Sequence, residues 1–471
     1  MNKKRISLKN FNNFNSNSVQ VDKFYNYLPS KSLKNSVGVK CATFPINETS
    51  EEEYSLNFTA SGIEKVNGIA YFKQYFKNNG TTTHRLLIHG GDDKIYINQM
   101  LDDSSDLFWL YGLKFDSSPI TLAYKKNDED AIILASKNEM KIWKTGYSPY
   151  TISNVPIITS MCFNEGVLFC TISDPAFKIW YATDLDAENI GNISANSGYI
   201  SLEDDLGDAK KIIALEQSVF VFRDYGITKI NFYKSSVSVT TVYSSNTKIY
   251  SESIAVCGNT VIFVTNQGLY SFNGVKVNLL NVDLKNYNCN YKNSVASSLQ
   301  NKYYLALNVD YSDSKKMLCE NVEHVNNTLI VVDIETENYE IVRGVDIKSF
   351  LPVKTNKFEK MLVTFNSVYT DIIGEISSSS TCLEDNLPKF WLSKDLTIDT
   401  CAKLFTKLSV DAEVGIKFKL IFDNNELSFT TYKNGLNEFM FKICCKQIKL
   451  EISSPNKSAE VNQVSLEYYD C

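Results

Sequence analysis

Thr260-Val-Ile-Phe-Val264, a polar reversal at Asn266-Gln267-Gly268, then Gly268-Leu-Tyr-Ser-Phe272 reads as one short apolar strand, a tight turn and a second strand carrying aromatics. The same couplet recurs along the chain. It appears as Arg85-Leu-Leu-Ile-His with Lys94-Ile-Tyr-Ile, Ala131-Ile-Ile-Leu-Ala with Met140-Lys-Ile-Trp, and Gly166-Val-Leu-Phe-Cys with Phe177-Lys-Ile-Trp-Tyr. It continues as Ser218-Val-Phe-Val-Phe with Ile227-Thr-Lys-Ile, Lys302-Tyr-Tyr-Leu-Ala-Leu with Thr328-Leu-Ile-Val-Val-Asp, and Lys360-Met-Leu-Val-Thr with Thr370-Asp-Ile-Ile-Gly-Glu-Ile. First strands beginning at 85, 131, 166, 218, 260, 302 and 360 lie 46, 35, 52, 42, 42 and 58 residues apart. A strand-and-turn repeat of about 45 residues is the spacing of a β-propeller blade, because one four-stranded blade cannot cover its own faces and must stack on neighbours. A series of unrelated sandwiches would show similar strands without that interval. Residues 41–375 are therefore expected to form one propeller of six or seven blades, the count turning on whether one segment completes the ring with strands from the N-terminal part.

Outside the repeat the pattern changes twice. Gly374-Glu-Ile-Ser-Ser-Ser-Ser-Thr opens a polar linker at 376–386. Beyond it, six or seven short strands between Lys389 and Tyr469 predict a small β-sandwich over 387–471, a module best read as an interaction domain. There Leu404, Leu408, Val410, Ile416, Phe418, Leu420 and Phe422 alternate with lysines, as on strands with one buried face. Residues 1–40 read as an extended basic arm: eight Lys/Arg against one Asp give +7, so a chain of net charge −6 leaves −13 on the remainder. Its isolated aromatics Phe11, Phe14, Phe24, Tyr25 and Tyr27 are candidate anchors on a neighbouring protein, against the plainer alternative of a disordered tail.

Composition narrows function by exclusion. With 471 residues, 44% hydrophobic and 22% charged, the chain has the make-up of a soluble globular protein. Of 48 basic residues only Arg5, Arg85, Arg223 and Arg343 are arginine, which disfavours sequence-specific nucleic-acid binding and an arginine triad for carboxylate substrates. Eleven Cys include no CxxC pair, and Cys162, Cys170 and Cys257 sit in apolar runs, so reduced thiols and cytosolic synthesis are expected. No apolar stretch approaches the ~18 residues of a membrane helix, and no signal peptide is expected. His84 and His89, five apart on one strand, face opposite ways and cannot share a metal. No HExxH, GxSxG, P-loop or GxGxxG occurs, and no Asp box of the sialidase type. Acidic turns at 102–106, 127–130, 203–208 and 310–313 could ligate Ca²⁺ but do not match an EF-hand loop. We expect no catalytic residues, no metal and no cofactor.

Three stretches resemble bacteriophage virion propellers of the packaged-DNA stabilisation, tail-nozzle and head-tail connector type. They are Val21-Asp-Lys-Phe-Tyr-Asn through Gly38-Val-Lys, Asp174-Pro-Ala-Phe-Lys-Ile-Trp-Tyr-Ala-Thr-Asp-Leu-Asp-Ala-Glu-Asn-Ile, and Gly198-Tyr-Ile-Ser-Leu followed by Ile212-Ile-Ala-Leu-Glu-Gln-Ser-Val-Phe-Val-Phe-Arg-Asp-Tyr-Gly-Ile. The similarity spans about residues 20–375 and is structural in character. It implies a non-enzymatic virion protein in a cyclic homo-oligomer, contacting portal, connector or tail proteins and, if it lines the exit channel, packaged DNA. The alternatives are a receptor- or glycan-binding propeller of the tail tip, which requires an exposed aromatic platform, and a propeller-fold glycoside hydrolase, for which no carboxylate pair stands out.

Overall fold

The computed structural model describes residues 3–8, 21–25, 37–47, 49, 51–101, 105–137, 139–184, 186–233, 236–282, 284, 287–310, 324–366, 369–377, 389–393, 395–396, 401–454 and 461–470. The protein is all-β: among the described residues helix is limited to the turns Phe58–Ser61 and Ala187–Asn189. No helix is long and apolar enough to cross a membrane.

Among the described residues, seven four-stranded antiparallel sheets follow one another between Gly38 and Ser377. Val66–Phe76, Thr81–Gly90, Lys94–Gln99 and Phe108–Lys114 form the first, and Ile120–Lys126, Glu129–Ser136, Glu139–Lys144 and Tyr150–Ile152 the second. The third is Ile158–Asn164, Val167–Ile172, Lys178–Ala182 and Ser197–Ser201; the fourth is Ala209–Leu215, Ser218–Arg223, Gly226–Tyr233 and Ser236–Ser244. Ile249–Cys257, Thr260–Thr265, Gly268–Phe272 and Val277–Leu279 make the fifth, and Asn288–Leu299, Lys302–Asp310, Thr328–Asp333 and Tyr339–Arg343 the sixth. The seventh takes Ile347–Lys354, Glu359–Phe365 and Gly374–Ser377 from one end of the region and Gly38–Cys41 from the other.

The couplets quoted from the sequence are the second and third strands of these sheets. The second strands are buried on both faces and read as near-continuous apolar runs, while third strands such as Lys178–Ala182 are partly exposed: Val167–Ile172 is buried throughout and Thr260–Thr265 is buried at all but its first residue. First and fourth strands carry a mixed or polar pattern, as in the largely exposed Ser236–Ser244, and so gave no comparable signal. The first strand of each sheet touches the first strand of the next, and Ile347–Lys354 of the seventh returns to Val66–Phe76 of the first. The apolar core is correspondingly divided. Ala70, Phe72, Leu87, Leu134 and Trp143 fill the space between the first and second sheets, and equivalent clusters occupy each later junction, including that between the seventh and first. Within the first of these, Phe72 meets Trp143 edge-on at 5.3 Å, the offset geometry aromatic quadrupoles favour.

The remaining described strands build a two-stranded ribbon, Phe44–Pro45 with Glu53–Tyr54, and two larger sheets. One orders Lys3–Leu8, Val461–Asp470, Lys403–Ala412 and Gly435–Cys445; the other orders Val21–Tyr25, Lys389–Ser393, Lys449–Ser454, Lys417–Phe422 and Asn425–Thr430. Leu8, Phe405, Leu408, Val410 and Val464 from the first share a buried cluster with Trp391, Phe418, Leu420 and Ile452 from the second. Phe405 rather than Leu404 is the fully buried member, because a bulge between Phe405 and Lys407 shifts the two-residue alternation by one.

Two expectations are corrected here. An arm at 1–40 set apart from 387–471 does not describe Lys3–Leu8 and Val21–Tyr25: each supplies an edge strand, pairing with Val461–Asp470 and Lys389–Ser393. An unpaired edge satisfies its N–H and C=O groups best by adding a strand, and the nearest strand belongs to the same chain. Nor is the C-terminal module an isolated body on a polar hinge, since its apolar cluster continues into Ile262, Val264, Tyr303 and Leu305 of the fifth and sixth sheets. Most of the linker 376–386 lies outside the described residues.

Candidate functional site

His84 and His89 face opposite sides of Thr81–Gly90, as their spacing requires. The Tyr71 hydroxyl donates to the Lys354 carbonyl at 2.9 Å and lies 2.6 Å from His84 Nδ1. Because the hydroxyl's one proton goes to that carbonyl, Nδ1–H of His84 donates to the tyrosine oxygen. Burial pushes the Tyr71 phenol up to about 12. His89 Nε2 is 2.8 Å from the Phe115 carbonyl, which only accepts, so Nε2 carries the proton and Nδ1 accepts from the Ser118 hydroxyl at 3.1 Å. Burial holds His89 below its ordinary range, and the ring is neutral at pH 7.

Ser118 and His89 open onto a cavity of about 290 Å³ among the first, second and seventh sheets, which Lys348 also lines. The backbone makes this approach possible. A bulge between Val66 and Gly68 turns the first strand, and a Cβ on Gly68 would stand 2.8 Å from Ser118 Oγ. Lys348 lies at a matching bulge between Ile347 and Ser349, and burial, then the charge of Lys65, lower its pKa. A serine hydroxyl on a neutral imidazole is the opening arrangement of nucleophilic catalysis. Here a backbone carbonyl occupies the position where a triad carries the carboxylate that stabilises imidazolium. Hydroxyl pairs join a second strand to the start of its own sheet elsewhere: Ser117 with Ser136 at 2.6 Å, Thr159 with Thr171 at 2.8 Å, and Ser349 with Thr364 at 2.6 Å. His89–Ser118 differs from these in linking the second strand of the first sheet to the loop that enters the second.

A second concavity, of about 570 Å³, lies at the outer edges of the first and second sheets. Tyr111 and Tyr147 on its walls are 81% and 61% exposed, and Phe108 and Trp109 lie exposed on the same edge strand as Tyr111. Arg85 lines this groove, its Nε donating to the Oε1 of fully buried Gln74 and its guanidinium 5.9 Å from the Trp143 ring. The sequence made Arg85 conspicuous only by rarity; nothing local marked the strand pairing that exposes its flat neighbours.

Acidic turns are used as structure where they are described. Asp130 accepts from the Tyr75 amide at 2.7 Å, Asp128 faces Lys77 and Lys125, and Asp204 pairs with Arg223. Among the described residues no group of three His, Cys, Asp or Glu side chains could hold a metal ion. Residues 102–104 and 311–313 lie outside the described residues. Of the arm aromatics, Phe24 and Tyr25 pair in register with Trp391 and Phe390 of the chain's own sheet, while Phe11, Phe14 and Tyr27 lie outside the described residues.

No sequence family matches the chain, and no curated protein matches it. Among solved structures it is similar to the N-terminal domain of Nup159, at TM-score 0.41 and 7% identity over 74% of this chain and 98% of that one. It is also similar to the extracellular domain of the putative one component system BT4673 from B. thetaiotaomicron, at TM-score 0.44 and 12% identity over 85% of this chain and 55% of that one.

Proposed function

We propose that the seven successive sheets are the blades of one seven-bladed β-propeller, that the two further sheets are a β-sandwich, and that the protein is a non-enzymatic structural component of a bacteriophage virion. In this reading it belongs to a cyclic ring in the head-to-tail connector or tail and contacts portal, connector or tail proteins. The observation that carries the proposal is the latching of the chain's two ends. Gly38–Cys41 closes the seventh sheet beside Gly374–Ser377, Val21–Tyr25 lies beside Lys389–Ser393, and Val461–Asp470 is held between Lys3–Leu8 and Lys403–Ala412. Neither Lys3–Leu8 nor Val461–Asp470 can be drawn off without breaking whole strand ladders at once, a property suited to a part that transmits load. The virion resemblance over about residues 20–375 supports the same reading. Lys3–Leu8 and Val21–Tyr25 pair with the chain's own strands, so in this reading contacts between subunits fall to other faces of the protein. A body of net charge −6 makes proteins better neighbours than DNA.

Purified phage particles digested and analysed by quantitative mass spectrometry should contain this chain at a fixed ratio to the portal protein. Its presence only in the lysate and not in particles would overturn the proposal. The exposed aromatic edge of the first sheet favours a second reading, a tail-tip receptor binder; labelling of host envelopes by the isolated protein would support it.

A further inference from the structure

We propose that the outer groove between the first and second sheets binds a carboxylated sugar within an otherwise neutral glycan, with Arg85 gripping the carboxylate and Tyr111 and Tyr147 carrying the sugar faces. The argument begins with how Arg85 is held. Gln74, 1% exposed, takes the Nε proton, and Trp143 lies beneath the guanidinium, so the fork is fixed before any ligand arrives. Its two terminal nitrogens meet no protein acceptor among the described residues, and no carboxylate there lies within ion-pair distance. Arg223 shows the contrast: the carbonyls of Gly207 and Leu202 and the carboxylate of Asp204 occupy it, and it is buried. A half-buried cation left open in a chain with 54 acidic residues is free to take an anion from outside, and no Asp or Glu lines this groove.

The rest of the groove selects among anions. Tyr111 and Tyr147 offer broad rings to solvent, and the trough of about 570 Å³ is open along the surface. Such rings stack on the C–H faces of pyranoses, while their hydroxyls remain wet. One guanidinium fork matches one planar carboxylate in two parallel hydrogen bonds. A nucleic acid would bring a charge at every phosphate to a single cation on a net-negative body. This inference stands whether or not the chain is carried in a virion.

The test is calorimetric titration of the full chain with 3′-sialyllactose against lactose, and with a xylo-oligosaccharide bearing one glucuronic acid against its carboxyl-reduced form. The acidic member of each pair, or of one pair, should bind about tenfold or more tighter than its neutral counterpart. Arg85→Gln should remove that difference, and Arg85→Lys should lose most of it because the fork is gone. Tyr147→Ala, at a position 61% exposed where truncation costs little stability, should weaken the acidic ligand several-fold. If Arg85→Gln melts early, Arg85→Lys and Tyr147→Ala decide. Failure of both acidic glycans to bind at millimolar concentration would overturn the proposal. So would equal binding of the neutral forms, or folded Arg85 and Tyr147 variants that bind like the parent.

Discussion

Glu375 is the carboxylate on which closure of the seventh sheet depends. It is nearly buried and accepts from Lys40 Nζ at 3.0 Å and Lys360 Nζ at 3.0 Å, so one acid holds a lysine from the closing strand Gly38–Cys41 and one from Glu359–Phe365. Removing one partner of a buried ion pair costs about 3–5 kcal/mol, most of it the penalty of the charge left behind. Two features reduce that here. Lys40 is 29% exposed and can turn to water, and Lys360 keeps Glu53 at 3.1 Å and the Thr43 carbonyl at 2.7 Å. Glu375→Ala should therefore cost about 2 kcal/mol, roughly a thirtyfold shift in the unfolding equilibrium. Glu375→Gln, which keeps an acceptor, should cost about half as much. Denaturant titration gives the total. Hydrogen exchange gives the location, because the amides of Val39 and Cys41 should exchange faster while those of Val167–Ile172 stay protected. A Glu375→Ala protein as stable as the parent, or one whose exchange rises evenly throughout, would refute the idea that this carboxylate fastens the N-terminal strand.

Other outcomes follow from individual contacts. Gly226→Ala should destabilise by about 1–3 kcal/mol in thermal melts, since a Cβ there would lie 2.5 Å from the Tyr243 carbonyl oxygen, and backbone cannot give way cheaply. Thiol mapping by mass spectrometry should find Cys41, Cys401 and Cys444 labelled quickly and Cys162, Cys170 and Cys257 only on unfolding; burial raises all three of the latter, Cys257 to about 11. Glu53 ionises below its ordinary value, chiefly through the Thr43 hydrogen bond and then through Lys360. Its contribution is complete above pH 4.5 and is lost as pH falls through the lowered value, so Glu53→Gln should be less stable at neutral pH and should flatten the acid limb of a stability-against-pH curve.

By itself the sequence determined the strand character of the chain and the interval of its repeat. Val167–Ile172 and Thr260–Thr265 are buried on both faces, and burial on both faces writes itself as an unbroken apolar run that needs no partner to be recognised. The strands beyond Lys389 were legible by a different sign, burial of one face, since Leu408, Val410, Phe418 and Leu420 alternate along single strands. Tertiary structure decided what joins to what. Lys3–Leu8 and Val21–Tyr25 carry the lysines and isolated aromatics of a tail, and only the open edges of two distant sheets make them strands. Ser118 and His89, like Arg85 and Tyr147, come together through the packing of one sheet against the next. A strand's pattern records which of its faces is buried, whereas the identity of the neighbour across a junction is fixed by how successive sheets pack, about one sheet further along the chain.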